Sequence, residues 1–97
     1  MSRVDKFLWS VRIYKTRTDA TEACRSGRIK VNGLDAKPSR EVKPGDILNI
    51  RKGNIHFQYK VIADVERRQQ ERMVEEYILN ITPKEELEKL NMQRETF

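Results

Sequence analysis

A second cysteine is missing from this 97-residue chain, so Cys24 cannot close an internal disulfide. The one histidine, His56, has too few partners for a metal site, and no glycine-rich phosphate loop or paired-cysteine motif occurs. No apolar run is long enough for a signal peptide or a spanning helix. These absences predict a protein with no catalytic residues, metal or cofactor, located in a reducing cytoplasm and not bound to membrane. The carboxylates after Glu66 fall in solvated helical sequence, so catalysis has little to stand on. Charge is what the chain has in plenty. Charged residues make up 36% against 37% apolar, which allows one domain with a small core. The net charge is +5 and unevenly placed: residues 1–52 hold 13 Lys or Arg against 6 Asp or Glu, whereas residues 53–97 hold 7 against 9. An anionic partner for the first half follows.

The stretch VDKFLWSVRIY spaces Val4, Phe7, Leu8, Val11 and Tyr14 at three and four residues, which predicts a helix with those five on its core side. Trp9 and Ile13 fall on the other side. There Trp9 serves either as a second hydrophobic contact or as a stacking surface for a base or ribose. Thr18 or Asp19 is expected to cap a second helix, with Asp19 and Glu22 as a capping box; Ala20, Ala23 and Cys24 face inward and Gly27 stops it. The period then changes to two across RIKVNGLDAK. The Asn32-Gly33 turn sets Val31 against Leu34, Lys30 against Asp35 and Ile29 against Ala36. If the ladder extends one step more, Arg28 faces Lys37, and an anion between them would relieve the like charges.

KPGD at 43–46 reads as a turn, and ILNIR and IHFQYKVI as strands joined around Gly53-Asn54, with His56 on the surface. From Glu66 the pattern turns helical, with Met73, Val74 and Tyr77 as its contact residues. Within TPKE at 82–85, Thr82 is the expected cap of a last helix, Pro83 its first position, and Glu85 reaches back. The acidic end of the chain offers only Leu87 and Leu90 for packing.

The basic residues of the first half are grouped. Arg3, Lys6 and Arg12 are expected to project from the first helix, Lys15 and Arg17 to lie in the turn, Arg25 and Arg28 to bracket the end of the second helix, and Lys30 and Lys37 to sit on the hairpin. Together they predict one cationic surface suited to phosphates, with the second helix's N-terminus adding unpaired N–H groups.

Helix, basic turn, helix, Gly and a hairpin with VNG, in that order, resemble the S-four RNA-binding domain from Arg3 to about Ile50. The matching residues are RVDKFL at 3–8, TR at 16–17, Ala20, GRIKVNG at 27–33, KPS at 37–39 and VKPGD at 42–46. Within that family DKFLWSVRIYKTR is most similar to the ribosome-associated heat shock protein 15 family. Two departures stand out: Val4 replaces the family's leucine, and residues 83–97 are acidic where that heat shock protein carries a basic extension. The resemblance implies an α+β, alpha-L fold, two N-terminal helices on a small antiparallel sheet, with a domain at 1–65 and a helical extension at 66–97. It implies RNA contacts at Arg3, Lys6, Arg12, Lys15, Thr16, Arg17, Arg28, Asn32, Lys37 and Ser39. Adding Trp9, Arg25 and Lys30 from the residues themselves gives the expected site. The expected partner is ribosomal RNA or the large ribosomal subunit, with tRNA a further candidate, and the expected state is monomeric. Two alternatives use the same residues: a protein-interaction module whose RNA surface has lapsed, and a DNA-binding module. An RNA-modifying enzyme would need catalytic sequence beyond the module, where under half of the chain remains.

Overall fold

Two short helices end by the same device, only one of them with a glycine. In the computed structural model, which describes residues 2–95, helix α1 spans Val4–Ser10 and helix α2 spans Arg17–Arg25. After α2, Gly27 at φ +76° lets its own N–H reach Cys24 O and that of Arg28 reach Ala23 O. After α1 the same pair of bonds runs from Arg12 to Trp9 O and from Ile13 to Leu8 O, with Arg12 itself at φ +62°. This is the left-handed helix stop in both cases. The helix expected to reach Tyr14 therefore ends at Ser10, and Arg12 is not on it. Side-chain sterics at Arg12 oppose this turn by about 1 kcal/mol, and the bond from its Nε to Gln69 O at 2.7 Å helps to hold it.

The cap of α2 also differs from expectation. Thr16 stands at the N-cap with its Oγ1 accepting from Asp19 N at 3.0 Å, so neither Thr18 nor Asp19 caps the helix. Ala20, Ala23 and Cys24 are buried as expected, and their small side chains let α2 pack closely on α1.

Five antiparallel strands follow, β1 Ile29–Val31, β2 Leu34–Asp35, β3 Ile47–Lys52, β4 Ile55–Val61 and β5 Ile78–Asn80, in the order β2-β1-β3-β4-β5. The Asn32-Gly33 turn gives the register derived from sequence, Val31 opposite Leu34 and Lys30 opposite Asp35. Pairing ends there except for Ala36 N donating to Ile29 O, and Arg28 O instead accepts from Arg51 N of β3. The ladder thus does not extend to an Arg28–Lys37 pair. β5 occupies sequence expected to be helical. What helix there is before it is a single 3-10 segment, Glu71–Glu76. Helix α3 spans Lys84–Glu95. Thr82 does not cap it: its Oγ1 accepts from Gln58 N and donates to Gln58 O, which makes it an edge clasp on β4. Glu86, not Glu85, reaches a backbone N–H, that of His56. Thr96 and Phe97 of the acidic end lie outside the described residues.

Paired residues share a sheet face and alternate along each strand. Ile29, Val31, Leu48, Ile50 and Val61 point toward the helices and join Val4, Phe7, Leu8, Val11, Ala20 and Ala23 in the core. Two ties close the structure over long sequence separations. Ser2 donates from N and Oγ to the Asp64 carboxylate at 2.9 and 2.6 Å. Arg68 donates from Nη1 to Trp9 O at 2.7 Å and to Tyr14 O at 3.2 Å, so it satisfies carbonyls around the end of α1. Replacing Arg68 with Ala should cost about 1–2 kcal/mol in urea denaturation, since carbonyls lose a charged donor. A change below about 0.3 kcal/mol would show that water replaces the guanidinium fully.

Candidate nucleic-acid interface

An aspartate buried within an apolar helix needs partners, and Asp5, 1% exposed, accepts four hydrogen bonds from three residues. Arg3 donates to it from Nε at 3.2 Å and Nη2 at 3.0 Å, Lys6 from its backbone N at 2.7 Å, and Thr21 of α2 from Oγ1 at 3.0 Å. The carboxylate thus fixes the Arg3 guanidinium and ties α1 to α2. Around it lies a shallow recess of about 350 Å³ lined by Arg3, Arg17, Thr18, Thr21, Glu22 and Arg25. Three arginines therefore line one recess, Arg3 from the start of α1 and Arg17 and Arg25 from the two ends of α2. Arg17 and Arg25 form no ion pair with a described residue, so their charges are not neutralised.

Lys37 and Ser39 belong to a turn packed against the start of α1, where Arg40 O accepts from Val4 N and Pro38 O from Asp5 N. That placement brings their turn to Arg3. Lys6 is half-buried on α1. A second group surrounds Tyr14. Lys52 Nζ sits 4.6 Å from the centre of its ring and donates to Ile13 O, while Arg28 is near enough to pull the phenol pKa down against a larger upward push from burial. Lys15 is the next residue and is exposed. Burial likewise lowers the Lys52 pKa.

Four of the expected contact residues, Asn32, Thr16, Lys30 and Trp9, have placements within the fold that the sequence did not show. Asn32 is committed to the turn: its Nδ2 donates to Asp46 Oδ1 at 3.1 Å and its Oδ1 accepts from Ile47 N at 2.9 Å. Thr16 is a helix cap. Lys30 projects from the sheet face away from the core, in one row with Asn49 and Gln58. Trp9 is half-buried with the Arg68 guanidinium 5.5 Å from its ring centre, so it packs within the fold and a cation holds its face. Sequence reasoning overlooked Lys52 and Arg68. Strand parity could have found Lys52, which shares the core-facing positions of Leu48 and Ile50, whereas nothing local marks Arg68.

Cys24 is buried beside this site, and burial first, then the Asp5 charge, pushes its thiol pKa up from 9.0 to about 11. A raised pKa stabilises the fold fully below pH 9.0, and that contribution is lost as pH rises through about 11. Alkylation by iodoacetamide at pH 8 should be negligible in the folded protein and complete in denaturant. Native labelling at the denatured rate would contradict this burial. Among the described residues no group of three or more His, Cys, Asp or Glu side chains could hold a metal, and no helix is long and apolar enough to cross a membrane.

Residues 2–48 match the S4 domain. Over 77 residues the chain is 42% identical to the RQC P-site tRNA stabilizing factor of Listeria innocua, covering 79% of this chain and 84% of that protein. It is 43% identical over 61 residues to the heat shock protein 15 homolog of Haemophilus influenzae, covering 63% of this chain and 47% of that one. The chain spans about half the length of the heat shock protein 15 relatives it matches. Among solved structures, the trimeric heat shock protein 15 of Vibrio cholerae superposes with a TM-score of 0.80 at 26% identity, covering 94% of this chain and 90% of that one.

Proposed function

The chain belongs to the S4-domain family, and from that premise we propose that it is an RNA-binding protein, not an enzyme, whose target is structured ribosomal RNA of the large subunit. The observation that carries this reading is the meeting of Arg3, Arg17 and Arg25 at one recess, with Arg3 preset by a buried carboxylate and the other two unpaired. Guanidinium forks suit phosphate oxygens, and a fork held in place loses less freedom on binding. Lys37 and Ser39 extend the contact from the adjoining turn. The face registers the shape of a folded RNA through its backbone, without reading bases. In the reading favoured by its relatives, the protein acts in a heat shock protein 15-like role on a large subunit that holds tRNA in the P site. The acidic C-terminal helix adds nothing to phosphate binding.

Titration of ribosomal particles and of isolated structured ribosomal RNA at several salt concentrations tests this. About five neutralised phosphates give a slope of about −4 in the logarithm of the binding constant against the logarithm of salt. A flat response would remove the electrostatic account. Competition by duplex DNA at equal potency would shift the assignment to nucleic acid of any kind.

A further inference from the structure

A second concavity, larger than the recess between the helices, lies elsewhere on the molecule. At the β4–β5 end of the sheet, on its core side, an open groove of about 1060 Å³ lies between the 11–15 linker, the sheet and the 3-10 segment. Ile29 and Val31 of β1 and Leu48 and Ile50 of β3 are fully buried, but on β4 the core-facing Phe57 and Tyr59, two positions apart, remain half-buried and line this groove. Two aromatic side chains alternating along one strand present adjacent flat surfaces at the spacing of a β-strand. Around them stand Arg12 and Lys15 from the linker, Lys52 from β3 and Arg68, against the two carboxylates Glu71 and Glu75. Four cations to two anions favour a negatively charged occupant with flat apolar parts.

We propose that this groove takes an unpaired stretch of one or two RNA nucleotides, bases against Phe57 and Tyr59 and phosphates against Arg12 and Lys15. The inference rests on the RNA-binding reading but assigns a second, single-strand site apart from the recess of Arg3, Arg17 and Arg25. Stacking on an aromatic ring tolerates any base, so little sequence preference is expected. Lys15, which lines the groove, directly precedes the Thr16 cap of α2, the helix that carries Arg17 and Arg25 of the recess.

The test titrates the single-stranded tetranucleotides rA4 and rU4 into the full-length protein and maps the perturbed backbone amide signals by NMR. Shifts concentrated at Lys15, Lys52, Phe57, Tyr59 and Val74 are expected with both. The double variant F57L/Y59L keeps apolar bulk and removes the stacking surface. It should bind the tetranucleotides at least about tenfold more weakly while holding structured ribosomal RNA within about twofold of the parent chain. Structured RNA binding without tetranucleotide shifts, or with shifts only around Arg3, Arg17 and Arg25, overturns the groove site and leaves the RNA-binding reading standing. Failure to bind either RNA removes that reading and this one together. Because the shift map is recorded on the parent chain, it decides even if the leucine variant does not fold.

Discussion

Reversing the charge at both Arg17 and Arg25 should weaken binding to structured ribosomal RNA by about a hundredfold, with the melting temperature changed by less than about 3 °C. Each side chain is exposed and without an ion pair, so the fold loses little when either is changed. Their helix positions make the offset nearly symmetrical. Arg17 opens α2, where a positive charge opposes the helix dipole, and Glu there should add about 0.3–1 kcal/mol of stability. Arg25 sits in the last turn, where the same substitution removes a comparable amount. Binding has no such compensation, because two phosphate attractions become two repulsions, at roughly tenfold each. The slope of binding against salt should also become shallower by about one for each phosphate that is no longer neutralised. Filter binding at three salt concentrations, beside thermal denaturation, decides the matter. Parallel losses of affinity and stability would make these arginines structural.

The largest effect on the fold itself is expected from Asp5→Ala. Its carboxylate is almost fully buried and accepts four hydrogen bonds, from both ends of the Arg3 fork, the Lys6 amide and the Thr21 hydroxyl. Removing one member of a buried hydrogen-bonded pair typically costs about 3–5 kcal/mol. Arg3 is 50% exposed and can turn to water, so the lower end, about 3 kcal/mol, is expected. In a domain of this size that lowers the melting temperature by roughly 12–20 °C. Thr21→Val should cost only about 1 kcal/mol, since it removes one neutral donor and leaves the other three. Urea denaturation of both variants checks the order. An Asp5→Ala loss below about 1 kcal/mol would mean that the carboxylate contributes no more than one ordinary hydrogen bond. The same variant should bind RNA less well even at temperatures where it is folded, because Arg3 is no longer held.

Sequence legibility follows the locality of the physics. The hairpin register is readable because Asn32-Gly33 is a turn whose backbone needs are met by those two residues alone. The small face of α2 is readable for a similar reason, since Ala20, Ala23 and Cys24 follow the helical repeat. Periodicity alone makes the first helix too long, because its left-handed stop carries Arg12 in place of the glycine that usually announces one. β5 is three residues long at a sheet edge, where Ile78 alone is buried, too little pattern to separate from a helix. At the candidate site, residue types are legible and their neighbours are not. Thr16 and Asn32 hold polar groups that suit RNA equally well, and only tertiary structure shows that backbone and Asp46 have claimed them. Arg68 reaches the end of α1 across 59 positions of chain, a distance over which no local pattern speaks.

The clasps from Asp64 to Ser2 and from Arg68 to Trp9 bear on how this interface could be moved to another protein. A graft limited to residues 2–48 would carry every arginine of the recess, yet it would sever β3 after its second residue and discard both clasps. Transplantation should succeed only when the segment runs through Asn80, the last residue of the fifth strand. The smallest portable unit is thus set by scaffolding that never meets the ligand.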